Sequence, residues 1–136
     1  KKSTLFACKA ALQQAMTDNA DIIFLEYSGS GRTNNILLNT VDFYEKVFFA
    51  RKNECDGSPE VESIVNGFKL KNTLHFKVCG VNTDACVQYT AVGLSVTFTN
   101  SVVEVLAKAC NSEIDHEYGL YVMGTYDNIF VNKKAA

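Results

Sequence analysis

Apolar positions at Leu5, Cys8, Leu12 and Met16 recur every three to four residues, the spacing of one helical face. They predict an amphipathic helix over 3–18, with Ser3 as its cap. The polar break "DNAD" ends it, and the short apolar run "DIIFLEY" at 21–27 has the length and composition of a strand. "SGSGRTNN" reads as a loop, 36–44 as a short helix, and "KVFFARK" at 46–52 as a second buried strand. In "GSPEVESIVNGF", Ser58 suits a cap, Pro59 the first helical position, Glu60 and Glu62 the positive end of the helix dipole, and Gly67 its stop. A strand "LHFKVCGV", a helix over 83–94, a strand over 101–109, a helix over 113–124 and a last strand "NIFVN" follow.

Strands and helices therefore alternate, and the strands are continuous apolar runs, as expected where helices cover both faces of a sheet. The expected fold is α/β: a three-layer, doubly wound, mainly parallel sheet. In such folds the site lies at the carboxyl ends of the strands. Cys86, Lys52, Glu26 and the "SGSGRT" loop all fall there.

The 136 residues suit one domain, and with 47% apolar and 21% charged residues the composition is that of an ordinary globular chain. A formal charge of -2 supplies no basic footprint for nucleic acid or an anionic membrane, so neither partner is expected. No apolar run is long enough to span a bilayer, and the opening "KKSTLFACKAALQQAM" is too polar for a signal peptide. Five cysteines (Cys8, Cys55, Cys79, Cys86 and Cys110) form an odd set without a C-x-x-C pair. That fits reduced thiols in a cytoplasmic location better than a disulfide framework. His75 and His116 lie at no ligand spacing from a cysteine, so no metal is expected.

The chemistry centres on "KVCGVNTDACVQYTA", where a strand passes into a helix with Cys86 near its first turn. Free backbone amides there lower a thiol's pKa and can hold an oxyanion, and Lys52 projects from a separate strand end as a nearby cation. The same spacing suits a buried core cysteine, and on spacing alone that is the more ordinary reading, since cysteine is among the residues most often buried. Both readings stand on the spacing alone.

"CGVNTDACVQYTA" resembles the signature of the isochorismatase-like cysteine hydrolases, a superfamily that includes nicotinamidases and N-carbamoyl amidases. The matching positions are Gly80, Val81, Asn82, Thr83, Cys86, Val87, Thr90 and Ala91. "RKNECDGSPEV" is similar to the segment bearing that superfamily's lysine, here Lys52, and "VEVLAKACNS" resembles its following strand, with Lys108 where an acidic residue often stands. The resemblance implies that Cys86 attacks an amide-type carbonyl to form an acyl-enzyme while Lys52 holds the thiolate. It also implies that the amides of Ala85 and Cys86 stabilise the oxyanion and that the peptide joining Val81 and Asn82 is cis. A small-molecule substrate, no cofactor and a homo-oligomer go with it. Glu26, Arg32 and Thr83 are the further pocket candidates.

Two departures matter. The superfamily's general-base aspartate sits on a strand before the first helix, and "KKSTLFACKAAL" holds no such strand. The expectation is a single domain over 1–136 without its first strand, by truncation or by loss of the base, with Glu26 as the one carboxylate placed to substitute. Second, "LEYSGSGRTNN" lacks the Asp-x-His of the metal-bearing nicotinamidases. The rival function is a catalytically silent relative that serves as a binding or assembly subunit. A thiol redox protein finds no resolving-cysteine motif.

Weaker features have plain readings. "SGSGRT" lacks the ending of a phosphate loop and reads as a flexible rim. Asp56 and Gly57 read as turn residues, His116 as a helix-surface residue, and His75 as a strand-entry residue. Cys79 and Cys110 read as core, as do Tyr27, Phe48 and Phe49, and Cys55 as exposed.

Overall fold

The computed structural model describes residues 1–134. The elements run α1 (Lys2–Thr17), β1 (Ile22–Tyr27), α2 (Asn35–Thr40), β2 (Val47–Lys52), α3 (Ser58–Phe68) and β3 (His75–Val81). A single π-helical turn (Thr83–Val87) then leads into α4 (Gln88–Thr97), β4 (Val102–Asn111), α5 (His116–Gly124) and β5 (Ile129–Asn132). All strand pairs are parallel, and helices cover both faces, as the alternating pattern requires.

β4 is the spine. Val103, Val105 and Ala107 face α3, α4 and α5 through Val61, Val65, Ala91, Leu94, Leu120 and Met123. Leu106 and Ala109 face the other way, against Cys8 of α1 and Leu37 of α2. This three-layer arrangement puts apolar side chains on both sides of β4, which explains why its sequence is a nearly unbroken apolar run.

The hydrogen-bonded ladders are two: β1 with β2, and β3-β4-β5 in that order. The ladders meet through side chains, since Ile23 and Leu25 of β1 pack on the cluster that β4 builds with α3 and α4. Among the described residues, β1 and β3 each pair on one side only. β3 was expected to be buried on both faces; instead His75, Lys77, Cys79 and Val81 alternate as exposed positions. Successive side chains of a strand point to opposite faces, so this alternation means that one face of β3 is left uncovered. Cys79 is thus not a core residue. Phe49 on the outer strand β2 is 54% exposed and Tyr27 is 38% exposed, so neither belongs to the core.

Helix ends also differ from expectation. Ser3 lies inside α1, whose cap position is Lys1 and carries no side-chain bond. α3 has Gly57 at its cap, and the capping acceptor is Asp56, whose Oδ1 accepts from the Ser58 N–H at 2.8 Å. Gly67 falls within α3, which stops at Lys69 in the left-handed region, φ 55°. α2 ends at Thr40, shorter than the sequence suggested, and starts on an Asn34 side-chain cap to Ile36 N–H.

Candidate active site

Three loops leave the carboxyl ends of β1, β2 and β3. Register fixes their alignment: Glu26 opposes Arg51 and Tyr27 opposes Lys52. Lys52 is 3% exposed. Its Nζ donates to the carbonyls of Glu54 at 3.0 Å and Cys55 at 2.8 Å, and it sits 5.3 Å from the centre of the Tyr27 ring. A buried ammonium needs such acceptors to offset its lost hydration. The lysine therefore shapes the 53–57 loop.

That loop is stitched to α4. Thr90 Oγ1 accepts the Gly57 N–H at 2.8 Å and donates to the Cys55 carbonyl at 3.2 Å. Gly57 is closely packed: a Cβ there would stand 2.5 Å from Leu25 Cδ1 and 3.0 Å from Lys52 Cδ, so those side chains would have to shift. At Gly93, one turn on, a Cβ would collide with the Asp56 carboxylate and the Ser58 hydroxyl. Residues 86, 90 and 93 recur at helical spacing, so the loop runs along the face of α4 that begins at Cys86.

Cys86 lies in the π-helical turn and is half-buried. The Cys55 thiol is its neighbour from the 53–57 loop. Burial and the neighbouring Cys86 sulfur push the Cys55 thiol pKa up, and the Lys52 ammonium offsets part of this. Cys55 is half-buried rather than exposed as its loop position had suggested. The Val81–Asn82 peptide is cis. The Asn82 carbonyl accepts the N–H groups of Ala85 and Val87, both at 3.1 Å. The Ala85 amide, expected to hold an oxyanion, is engaged with that carbonyl.

α5 braces the turn from behind. Thr83 is fully buried, with its Oγ1 2.7 Å from His116 Nδ1. It is an internal strut, not a pocket wall, and His116 is its partner, not a free surface residue. Asp84 accepts from the Ser112 hydroxyl and, at 3.2 Å, from the Asp115 N–H. A Cβ on Gly119 would lie 2.8 Å from backbone atoms of Thr83 and Asp84. Helix and turn are in direct backbone contact there.

Glu26 does not fill the role of base. Its Oε2 accepts both the Thr33 N–H and the Thr33 hydroxyl at 2.8 Å, and its Oε1 is 3.8 Å from Arg51. These bonds, those of Thr33 first, hold its pKa below the ordinary carboxylate value. The carboxylate ties down the 28–33 loop. Arg32 is exposed on that loop. His75 bonds Glu104 at 2.9 Å and Asn132 donates to the same carboxylate at 2.8 Å, a strut across β3, β4 and β5. Among the described residues no cluster of three or more metal-ligating side chains forms. A cleft lined by Leu74, Phe98 and Asn100 opens at the opposite, amino-terminal ends of β3 and β4.

Lys52 ends β2 and Cys86 follows β3, at the strand ends where the sequence put them, whereas Cys55 was read as exposed, His116 as a surface residue, and Thr90 only as part of the signature. Cys55 could have been found: it stands three residues beyond Lys52, in a loop leaving the same edge of the sheet.

Comparison with known proteins agrees with this architecture. No family profile matches the chain, and no curated protein does. Solved structures do. The nicotinamidase of Staphylococcus aureus superposes with a TM-score of 0.78 at 20% identity, covering 98% of this chain and 88% of that one. An isochorismatase-like hydrolase from Alkaliphilus metalliredigens gives 0.70 at 13% identity over 96% of this chain and 78% of its own. A ribonuclease from Caenorhabditis elegans gives 0.79 at 18% identity, covering 96% and 66%. The chain has the fold of nicotinamidases and isochorismatase-like hydrolases, a fold that also carries other chemistry.

Proposed function

We propose that this chain is a single-domain hydrolase of small amides or related carbon–nitrogen bonds, with Cys86 as nucleophile. The observation that carries the reading is the meeting of a half-buried Cys86 with the loop that Lys52 organises at the carboxyl edge of the strands. In this reading the Cys86 sulfur attacks the carbonyl carbon, the amine leaves, and water releases the acid from the thioester. Lys52 supplies fixed positive charge through the loop that faces the reacting sulfur, and backbone N–H groups of the 82–87 turn receive the oxyanion, with the bond from Ala85 to Asn82 yielding to it. The reaction draws on neither a metal nor a cofactor. Five free cysteines suit a reducing, cytoplasmic setting, and in this reading copies of the chain associate with one another, as a hydrolase of similar fold described as octameric does.

A second reading has its own support. The Cys86 sulfur has a thiol for a neighbour and Glu26 is committed to Thr33, so Glu26 does not serve as base at that sulfur in this arrangement. A silent relative that binds a small carbonyl compound fits that observation.

Ammonia release from a panel of small primary and N-carbamoyl amides separates the two. The hydrolase reading expects turnover that Cys86→Ser lowers by about a thousandfold or more, with a thioester adduct visible by intact mass. Equal, background-level release by both proteins leaves the binding role.

A further inference from the structure

The Cys86 site contains a second thiol that amide hydrolysis does not use. Cys55 sits 31 positions away in sequence, yet its thiol is a neighbour of the Cys86 thiol, close enough for the two to act on each other's ionisation. Its backbone is held there from two sides: its carbonyl accepts from Lys52 Nζ at 2.8 Å and from Thr90 Oγ1 at 3.2 Å, and Thr90 is four residues beyond Cys86. The two thiols are thus brought together by the β2–α3 loop and the head of α4, not by a sequence motif. Both residues are half-buried, so a molecule the size of a peroxide can reach them. Cys55 lies in an irregular loop, which can close the remaining separation between the sulfurs more easily than a helix could.

We propose that Cys55 and Cys86 form a reversible regulatory disulfide, with Cys55 resolving Cys86 after oxidation by a hydroperoxide. The Cys86 sulfur attacks the peroxide oxygen, the O–O bond breaks, and Cys86 becomes a sulfenic acid as one water or alcohol leaves. The Cys55 sulfur then attacks the Cys86 sulfur. The S–S bond forms, the S–O bond breaks, and the hydroxide departs as water with the Cys55 proton. Two thiols and one hydroperoxide give one disulfide and two small hydroxylic products. A dithiol reductant reverses the step. Lys52 favours it, because its ammonium lies on the Cys55 side and eases loss of that thiol's proton. The disulfide would withdraw the nucleophile from any substrate while protecting it from irreversible oxidation. The proposal rests on the same Cys86 site as the hydrolase reading, but not on turnover.

The test uses the whole chain and hydrogen peroxide, read by intact mass and peptide mapping. The expected result is loss of two hydrogens at a rate independent of protein concentration, with 53–69 cross-linked to the peptide carrying Cys86 and full reversal by dithiothreitol. Cys79 shares that tryptic peptide, so fragmentation between Gly80 and Asp84 assigns the link. In Cys55→Ser, the Cys86 sulfenic acid should persist, be captured by dimedone, and proceed to the sulfinic acid. Three results would overturn the proposal: wild-type Cys86 passing to sulfinic acid with Cys55 still free, linkage confined to Cys8 and Cys79, or thiols unchanged. If amides are not hydrolysed yet the cross-link forms, the hydrolase reading fails and this one stands.

Discussion

Lys52 illustrates what a single side chain does when it is sunk in a loop rather than spread on a surface. Two of its three N–H donors are spent on carbonyls within three residues of itself. Lys52→Met keeps the stem but strands both acceptors, and should cost about 1–3 kcal/mol of unfolding free energy, read as a lower urea midpoint. Any Cys86-dependent amide turnover should fall in the same variant by more than the loss of folded protein accounts for. Lys52 was legible as the last residue of an apolar strand, and Cys86 through the signature that follows β3. Glu26 was not, because its fate depends on Thr33, seven residues away across a loop whose path no periodicity predicts. Cys55 and Thr83 were hidden for the same reason, their partners lying 31 and 33 positions off.

The next scale up is the turn that carries Cys86 and the helix behind it. Asp84 links them through Ser112 and the Asp115 N–H, and these bonds, that of Ser112 first, lower its pKa from an ordinary 3.8. A depressed carboxylate contributes stability that is present above its unfolded pKa and lost as pH falls through the folded one. Wild-type urea midpoints should therefore drop as pH is lowered from about 5 toward about 3, and Asp84→Asn should flatten that decline. An unchanged slope would mean the bond contributes nothing to the fold. Helices and strands were read in the right order from apolar spacing, since that spacing reflects which faces each element buries. Their ends were less legible. Ser58 looks like a cap by type, but Asp56, two residues earlier, reaches the free amide because Gly57 lets the chain bend against Leu25. Nothing in "NTDACV" distinguishes a π-helical turn from an α-helical one, because the residue types suit both.

For the molecule as a whole, the parallel α/β arrangement followed from the alternation of elements, whereas the division into two ladders did not. Pairing depends on which strand finds which neighbour, and apolar runs alone carry no such address. Hydrogen exchange should make the division visible. Amides in the middle of β4, bonded within a three-strand ladder, should exchange at rates near global unfolding. Those of β1 and β3 that point away from their single partners should exchange far faster. Uniform protection across all five strands would contradict the arrangement. The exposed row His75, Lys77, Cys79 and Val81 has a further consequence for concentrated solutions. Copies meeting along the unpaired edge of β3 would gain main-chain bonds, and the positive charge of Lys77 opposes that encounter. Added salt screens such repulsion, so crowding and ionic strength together should decide when molecules begin to stack.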